Sequence, residues 1–255
     1  MVDIQEIRTF IEEQKLRCRA YAVCDEYDRD PSLLNIGNRI WDGIILEEDI
    51  GIELGSKKNP IAKAILHVED TSAVHDNRIT LIGQKISFLR RADHSFGFLI
   101  LFSGKSLSDS DFRKIQRNMF LSNSIEGIFE KRYGRGSWYQ ISRSLLKKGI
   151  NFSHIGFALM KLLKEKFPHE IDAIEIIFAV DDEKTLDYIQ QLQDMTIATV
   201  IKQFQNKIKE IQKRRPDCDL TNECNVCDNQ EICDQIRDMI VKRNKMRRPT
   251  NEKQN

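Results

Sequence analysis

Four of the six cysteines fall within sixteen residues, CDLTNECNVCDNQEIC, so that Cys218, Cys224, Cys227 and Cys233 follow the spacing C-x5-C-x2-C-x5-C. A C-x2-C pair lets one tight turn aim two sulfurs at a single metal centre, and two further thiolates complete a four-sulfur shell suited to zinc or to an iron–sulfur cluster. Structural zinc usually has a C-x2–4-C pair on each side of a longer loop. Here one pair is flanked at equal distance by single cysteines, which favours a [4Fe–4S] cluster, with zinc as the alternative and redox or unligated thiols as a third reading. The acids Asp217, Asp219, Glu223, Asp228, Glu231 and Asp234 surround the thiols. Carboxylates beside an anionic cluster would lower its reduction potential, while a solvated acidic face is the plainer reading. Cys18 and Cys24 stand apart with no third donor nearby and read as thiols buried beside the core.

The chain has 255 residues, with 40 Lys and Arg against 39 Asp and Glu, a formal charge of +1. That balance excludes a polybasic nucleic-acid or membrane binder. It conceals a basic end: beyond the cysteines, Arg237, Lys242, Arg243, Lys245, Arg247, Arg248 and Lys253 against Asp234, Asp238 and Glu252 give a net charge of +4. This end reads as a solubilising tail, with contact to phosphates or an acidic partner as the alternative. No window approaches the roughly 18 apolar residues needed to cross a bilayer, and MVDIQEIRTF carries acid where a signal peptide has a basic start and an apolar run. The expected location is cytoplasmic, with neither nucleic acid nor membrane as partner.

A body must hold the cysteine module in place. Ile4, Ile7, Phe10, Ile11 and Leu16 lie near helical spacing, which predicts an amphipathic helix over the first 24 residues. From Gly43 the pattern turns strand-like, with segments at 50–54, 61–68, 79–82 and 96–102. The unbroken apolar run Phe98 to Phe102 requires cover on both faces, and so helices on the sheet. Ser108 with Asp111, Ser142, and Asn151 or Ser153 mark helix starts, and Gly149 marks a helix end. Further strands are predicted at 127–130, 138–141 and 171–180. After Asp181 an apolar stripe from Leu186 to Ile211 predicts one long helix, packing on the body or, over residues 185–215, on a second copy in a homodimer. The expected fold class is α/β (α+β), a mixed sheet flanked by helices, followed by a long helix and a small four-cysteine metal module. The divisions are 1–43, 44–195, 196–246 and a tail at 247–255.

A series of ordered landmarks carries a family resemblance: Glu48-Asp49-Ile50-Gly51-Ile52-Glu53-Leu54-Gly55, Asn77-Arg78-Ile79-Thr80-Leu81-Ile82-Gly83, Glu126-Gly127-Ile128, Trp138-Tyr139-Gln140-Ile141-Ser142-Arg143, Lys148 to Gly156, and Ile171 to Ile176. On these the body, over about residues 44–195, resembles the central domain of the acetyl-CoA synthase (beta) subunit of the CO dehydrogenase/acetyl-CoA synthase complex. The resemblance implies contact with partner proteins and with coenzyme A, for which Trp138 would stack on the adenine while Arg135 and Arg143 meet phosphates. A buried core role is the plainer reading of Trp138, and a structural role that of His154. The family's cysteine-rich domain carries an iron–sulfur cluster joined to nickel, and Cys224 and Cys227 match where that region begins. Two departures stand out: the chain contains no Cys-Gly-Cys for nickel, and Gln140 replaces an arginine of the family motif.

The expected function is therefore that of a shortened, acetyl-CoA-synthase-like iron–sulfur protein acting as an accessory, electron-transfer or docking component in anaerobic one-carbon or corrinoid metabolism. Its expected partner is a protein of a CO dehydrogenase/acetyl-CoA synthase or corrinoid system. One alternative is an acyltransferase-type enzyme component that completes its metal site with a partner chain. Another is a zinc-stabilised module binding coenzyme A or a similar nucleotide.

Overall fold

A computed structural model describes residues 4–18, 20–24, 34, 47–83, 93–104, 107–117, 125–134, 136–214, 231, 235–236 and 238–239. The chain divides into two compact units, Met1–Thr196 and Ile197–Asn255.

Among the described residues the first unit has nine strands, β1 Ala20–Cys24, β2 Ile50–Leu54, β3 Ala62–Val68, β4 Arg78–Gly83, β5 Asp93–His94, β6 Phe96–Ser103, β7 Ile128–Tyr133, β8 Gly136–Ser142 and β9 Ala173–Val180. Its helices are α1 Ile4–Arg17, α2 Asp109–Arg117, α3 Arg143–Lys147, α4 Phe152–Lys166 and the start of α5 Glu183–Arg214. Five strands form one sheet in the order β1-β4-β9-β6-β3, and four form a second in the order β5-β2-β8-β7. Both sheets are mixed. β4 and β9 run parallel while β9 and β6 run antiparallel; in the small sheet β2 is parallel to β5 and antiparallel to β8. The α/β class and the flanking helices are thus as expected, with two sheets where one was anticipated.

Every residue of β6 and β9 is buried, as an apolar strand covered on both faces must be. Alternation divides their side chains between two cores. Phe96, Phe98, Ile100 and Phe102 with Ile174, Ile176 and Phe178 face α4 and the small sheet. Leu99, Leu101, Ala173, Ile177 and Ala179 face α1 and the first turns of α5. On the first face Phe96, Phe152 and Phe178 form an aromatic cluster with ring centroids 5.4 to 6.2 Å apart. α4 lies close on the sheet at Gly156, where a Cβ would come within 2.6 Å of Ile79 Cδ1 and 2.9 Å of Phe178 Cε2.

The helix ends follow local chemistry. Asn151 and His154 form a reciprocal capping box at α4, with Asn151 Oδ1 accepting from the His154 amide and His154 Nδ1 accepting from the Asn151 amide. This gives His154 a structural place at the helix start. Ser142 Oγ caps α3 by accepting from the Leu145 amide, and Gly149, at φ 79°, ends that turn. Ser108 Oγ accepts from the Asp111 amide at the start of α2.

The N-terminal helix is shorter than its spacing predicts. It stops at Arg17, and Ala20–Cys24 become an edge strand antiparallel to β4. Leu16, expected on the apolar face, is 90% exposed, while Gln14 is fully buried and bonds to Phe10 O and Arg17 Nε. Of the long helix's stripe, Ile189 and Leu192 are buried against the second core beside the partly buried Leu186, whereas Ile197 and Ile201 are each about half exposed.

Candidate functional site

The small sheet positions Trp138. Its strand β8 buries Tyr139 and Ile141 in the core, against which the partly buried Trp138 also packs, while alternation sets Trp138 and Gln140 on the other side of the strand. Glu53 of β2 is directly across from Gln140 in the register. Gln140 Nε2 donates to Glu53 Oε1 at 2.5 Å, and the Trp138 indole Nε1–H donates to the same oxygen at 3.2 Å. A carboxylate can only accept, so the amide nitrogen of Gln140 must face Glu53 and its Oε1 must face away. That oxygen is buried and accepts no hydrogen bond, in a residue 5% exposed.

Arg143 is the first residue of α3. Gly51 admits α3 over β2, since a Cβ there would lie 2.4 Å from Leu146 Cδ1, and Arg143 Nε donates to Ile50 O at 3.2 Å with the side chain exposed. No hydrogen bond or ring contact joins Arg143 to Trp138 among the described residues. The structure brings Trp138 together with Glu53 and Gln140 instead. Arg135, the third residue expected at a nucleotide, falls outside the described residues. Periodicity alone passes over Glu53. The signal for it was an acid inside an otherwise apolar strand, which must be solvated or paired.

A second polar group lies between the two sheets. Lys63 of β3 reaches Glu130 Oε1 at 3.3 Å and Ser137 Oγ at 2.9 Å, and Arg132 donates to Glu130 Oε2 at 2.8 Å. Burial pushes the Lys63 ammonium below its usual pKa, against the pull of Glu130, which raises it. Edge strand β3 is shielded on its open side by Ser137 O, which accepts from the Ile61 amide, and by Gln193 Oε1, which accepts from the Lys63 amide.

A third group ties the strand ends. His94 Nδ1 donates to Asp181 Oδ2 at 2.8 Å, and Asp181 Oδ1 accepts from the Ser95 amide at the point where the chain passes from the small sheet to the large one. Asp181 adopts φ 52° to do so. His94 Nε2 is buried without a hydrogen bond.

The four clustered cysteines, Cys218, Cys224, Cys227 and Cys233, lie outside the described residues, so their geometry enters no part of the structural account. Among the described residues no group of three or more His, Cys, Asp or Glu side chains is arranged to hold a metal ion. Cys18 is half-buried beside the second core. Burial first, then the neighbouring Asp182, push its thiol pKa up. The side chain of Cys24 is not described. No helix among the described residues is long and apolar enough to cross a membrane.

Fold and face together define an α/β domain of two mixed sheets with a carboxylate–amide–indole group on its smaller sheet. The family model of the CO dehydrogenase/acetyl-CoA synthase complex beta subunit matches residues 35–185, and the chain belongs to that family. Among curated proteins it is similar to the acetyl-CoA decarbonylase/synthase complex subunit beta of Methanopyrus kandleri, at 24% identity over 163 residues, 63% of this chain and 34% of that protein. It is likewise similar to the carbon monoxide dehydrogenase/acetyl-CoA synthase subunit alpha of Moorella thermoacetica, at 24% identity over 160 residues, 62% of this chain and 22% of that one. The chain thus matches about a third of the first relative and less than a quarter of the second.

Proposed function

We propose that this chain is an accessory iron–sulfur component of a CO dehydrogenase/acetyl-CoA synthase system, in which the two-sheet body docks on a partner protein and Cys218, Cys224, Cys227 and Cys233 hold a [4Fe–4S] cluster. One observation carries the reading: a body of this family is followed, beyond α5, by C-x5-C-x2-C-x5-C. The donor set supports it, because four thiolates are the usual ligands of such a cluster and C-x2-C aims two of them from one turn. Bound there, the cluster would supply one-electron chemistry. The chain's own part is to supply the thiolates and to surround them with carboxylates that hold the potential down.

The test is anaerobic purification followed by a visible spectrum and metal analysis. A brown protein with about four irons per chain is expected. Colourless protein with stoichiometric zinc would overturn the reading, and stoichiometric nickel would transfer it to an enzyme that completes its metal site with a partner. Cys227→Ser should lose most of the bound metal while the unfolding transition of the body stays where it was.

A further inference from the structure

α5 is one unbroken helix of 32 residues, yet its apolar residues fall into two sets that face different ways. Leu186, Ile189 and Leu192 meet the second core. The next set is Ile197, Ile201, Phe204, Ile208 and Ile211, spaced by four, three, four and three. At about 100° per residue this second set is centred about 80° around the helix from the first, so the face that meets the core does not continue into it. Ile197 is 46% exposed and Ile201 51%, and every described side chain from Ile197 to Asn206 is exposed. A helical stretch of this length standing alone is marginal in water, and an apolar seam along it calls for a cover.

The spacing and the flanks identify the cover. Intervals of four and three are those of a coiled-coil seam, with Ile201 and Ile208 at the a positions and Ile197, Phe204 and Ile211 at the d positions. On that register Gln205 and Gln212 occupy the e positions beside the seam, Lys207 and Arg214 the g positions, and Lys202, Lys209 and Lys213 the outer positions. When two identical helices pair in parallel, each g position faces the following e position of the other copy. Lys207 then faces Gln212 of the second copy, a donor against an amide oxygen, and no cation is set against a cation. We propose that the seam Ile197–Ile211 of α5 packs against the same seam on a second copy of this chain, making the protein a homodimer. The inference goes beyond the docking and metal roles proposed above and depends on neither.

The test is sedimentation equilibrium of the full chain under anaerobic, reducing conditions, which exclude disulfide links. The mass should rise with concentration from 29.8 kDa towards twice that value. Ile201→Lys, which sets a charge in the seam, should weaken self-association by at least about tenfold. Gln203→Lys adds the same charge at an outer position and should leave it unchanged. Near-ultraviolet circular dichroism should be the same in all three proteins, since Trp41 and Trp138 both belong to the unit Met1–Thr196. Cys227→Ser should also keep the dimer, which separates pairing through the seam from association bridged by a metal centre. A one-chain mass at every concentration would give the seam to another protein or to the chain's own later residues and overturn the proposal. So would undiminished association in Ile201→Lys, or its loss in Gln203→Lys or Cys227→Ser. Metal content is read separately on the same samples, so failure here leaves the metal assignment standing.

Discussion

Two buried carboxylates show how single charges hold this body together. Glu175 sits on the central strand β9 with a side chain only 2% exposed, and it accepts a paired set of bonds from Arg8 of α1 at 2.9 and 2.6 Å as well as one from the His75 amide. Arg8→Ala would leave that charge buried with the His75 amide as its remaining donor, and stability measured by urea unfolding should fall by about 3–5 kcal/mol. Replacing both partners together, as Arg8→Met with Glu175→Leu, should recover most of the loss. Asp182 is the second. It precedes α5, accepts from the Thr185 amide and hydroxyl, and meets Arg17 at 2.6 Å. Burial alone would raise its pKa, yet the Thr185 bonds and the Arg17 charge outweigh it and the pKa lies below the ordinary value. A carboxylate with a depressed folded pKa contributes stability above its unfolded pKa of about 3.9, and that contribution is lost as pH falls through the folded value. Asp182→Asn should therefore be less stable than wild type at neutral pH, and the gap between them should close on acidification in chemical unfolding followed from pH 6 to pH 2. None of these pairings was legible in the sequence. Arg8 and Glu175 are 167 positions apart, and no periodicity encodes which acid meets which base.

At the scale of the element, local signals read well where caps and glycines punctuate them. Ser108, Ser142 and Asn151 all stand where helix starts were expected, because a side-chain oxygen that satisfies an orphan amide acts within three residues. Asn151→Ala should cost about 1 kcal/mol in thermal or chemical unfolding, since it removes one half of the capping box. Gly156 is different in kind. As a mid-helix glycine it lowers helix propensity by up to about 1 kcal/mol, yet the approach of α4 to Ile79 and Phe178 leaves no room for a side chain. Gly156→Val should destabilise the body by about 1–3 kcal/mol despite its better propensity, because overpacking outweighs the local gain. Elements were misread where the local pattern was ambiguous. The residues after Arg17 have no strict alternation, so strand β1 is decided by its pairing with β4 rather than by its own sequence. The division of apolar strands between two sheets was likewise hidden, because a run covered on both faces looks the same in either.

For the whole molecule, the unit Met1–Thr196 contains both hydrophobic cores, including the buried part of α5 at Ile189 and Leu192. A fragment of residues 1–196 should fold by itself, with cooperative unfolding and a dispersed spectrum; a molten fragment would show that the remaining residues are needed for the core. The amino-acid sequence alone determined the α/β class, most of the strands and helices, the family, and the spacing of four thiols, since each of these is written in short-range pattern. It also singled out Trp138 as a residue of interest. Tertiary structure alone decided what Trp138 meets. The register of β2 against β8 sets Glu53 and Gln140 beside its indole, and a cross-strand register arises from packing between segments 85 residues apart, which local chemistry does not specify.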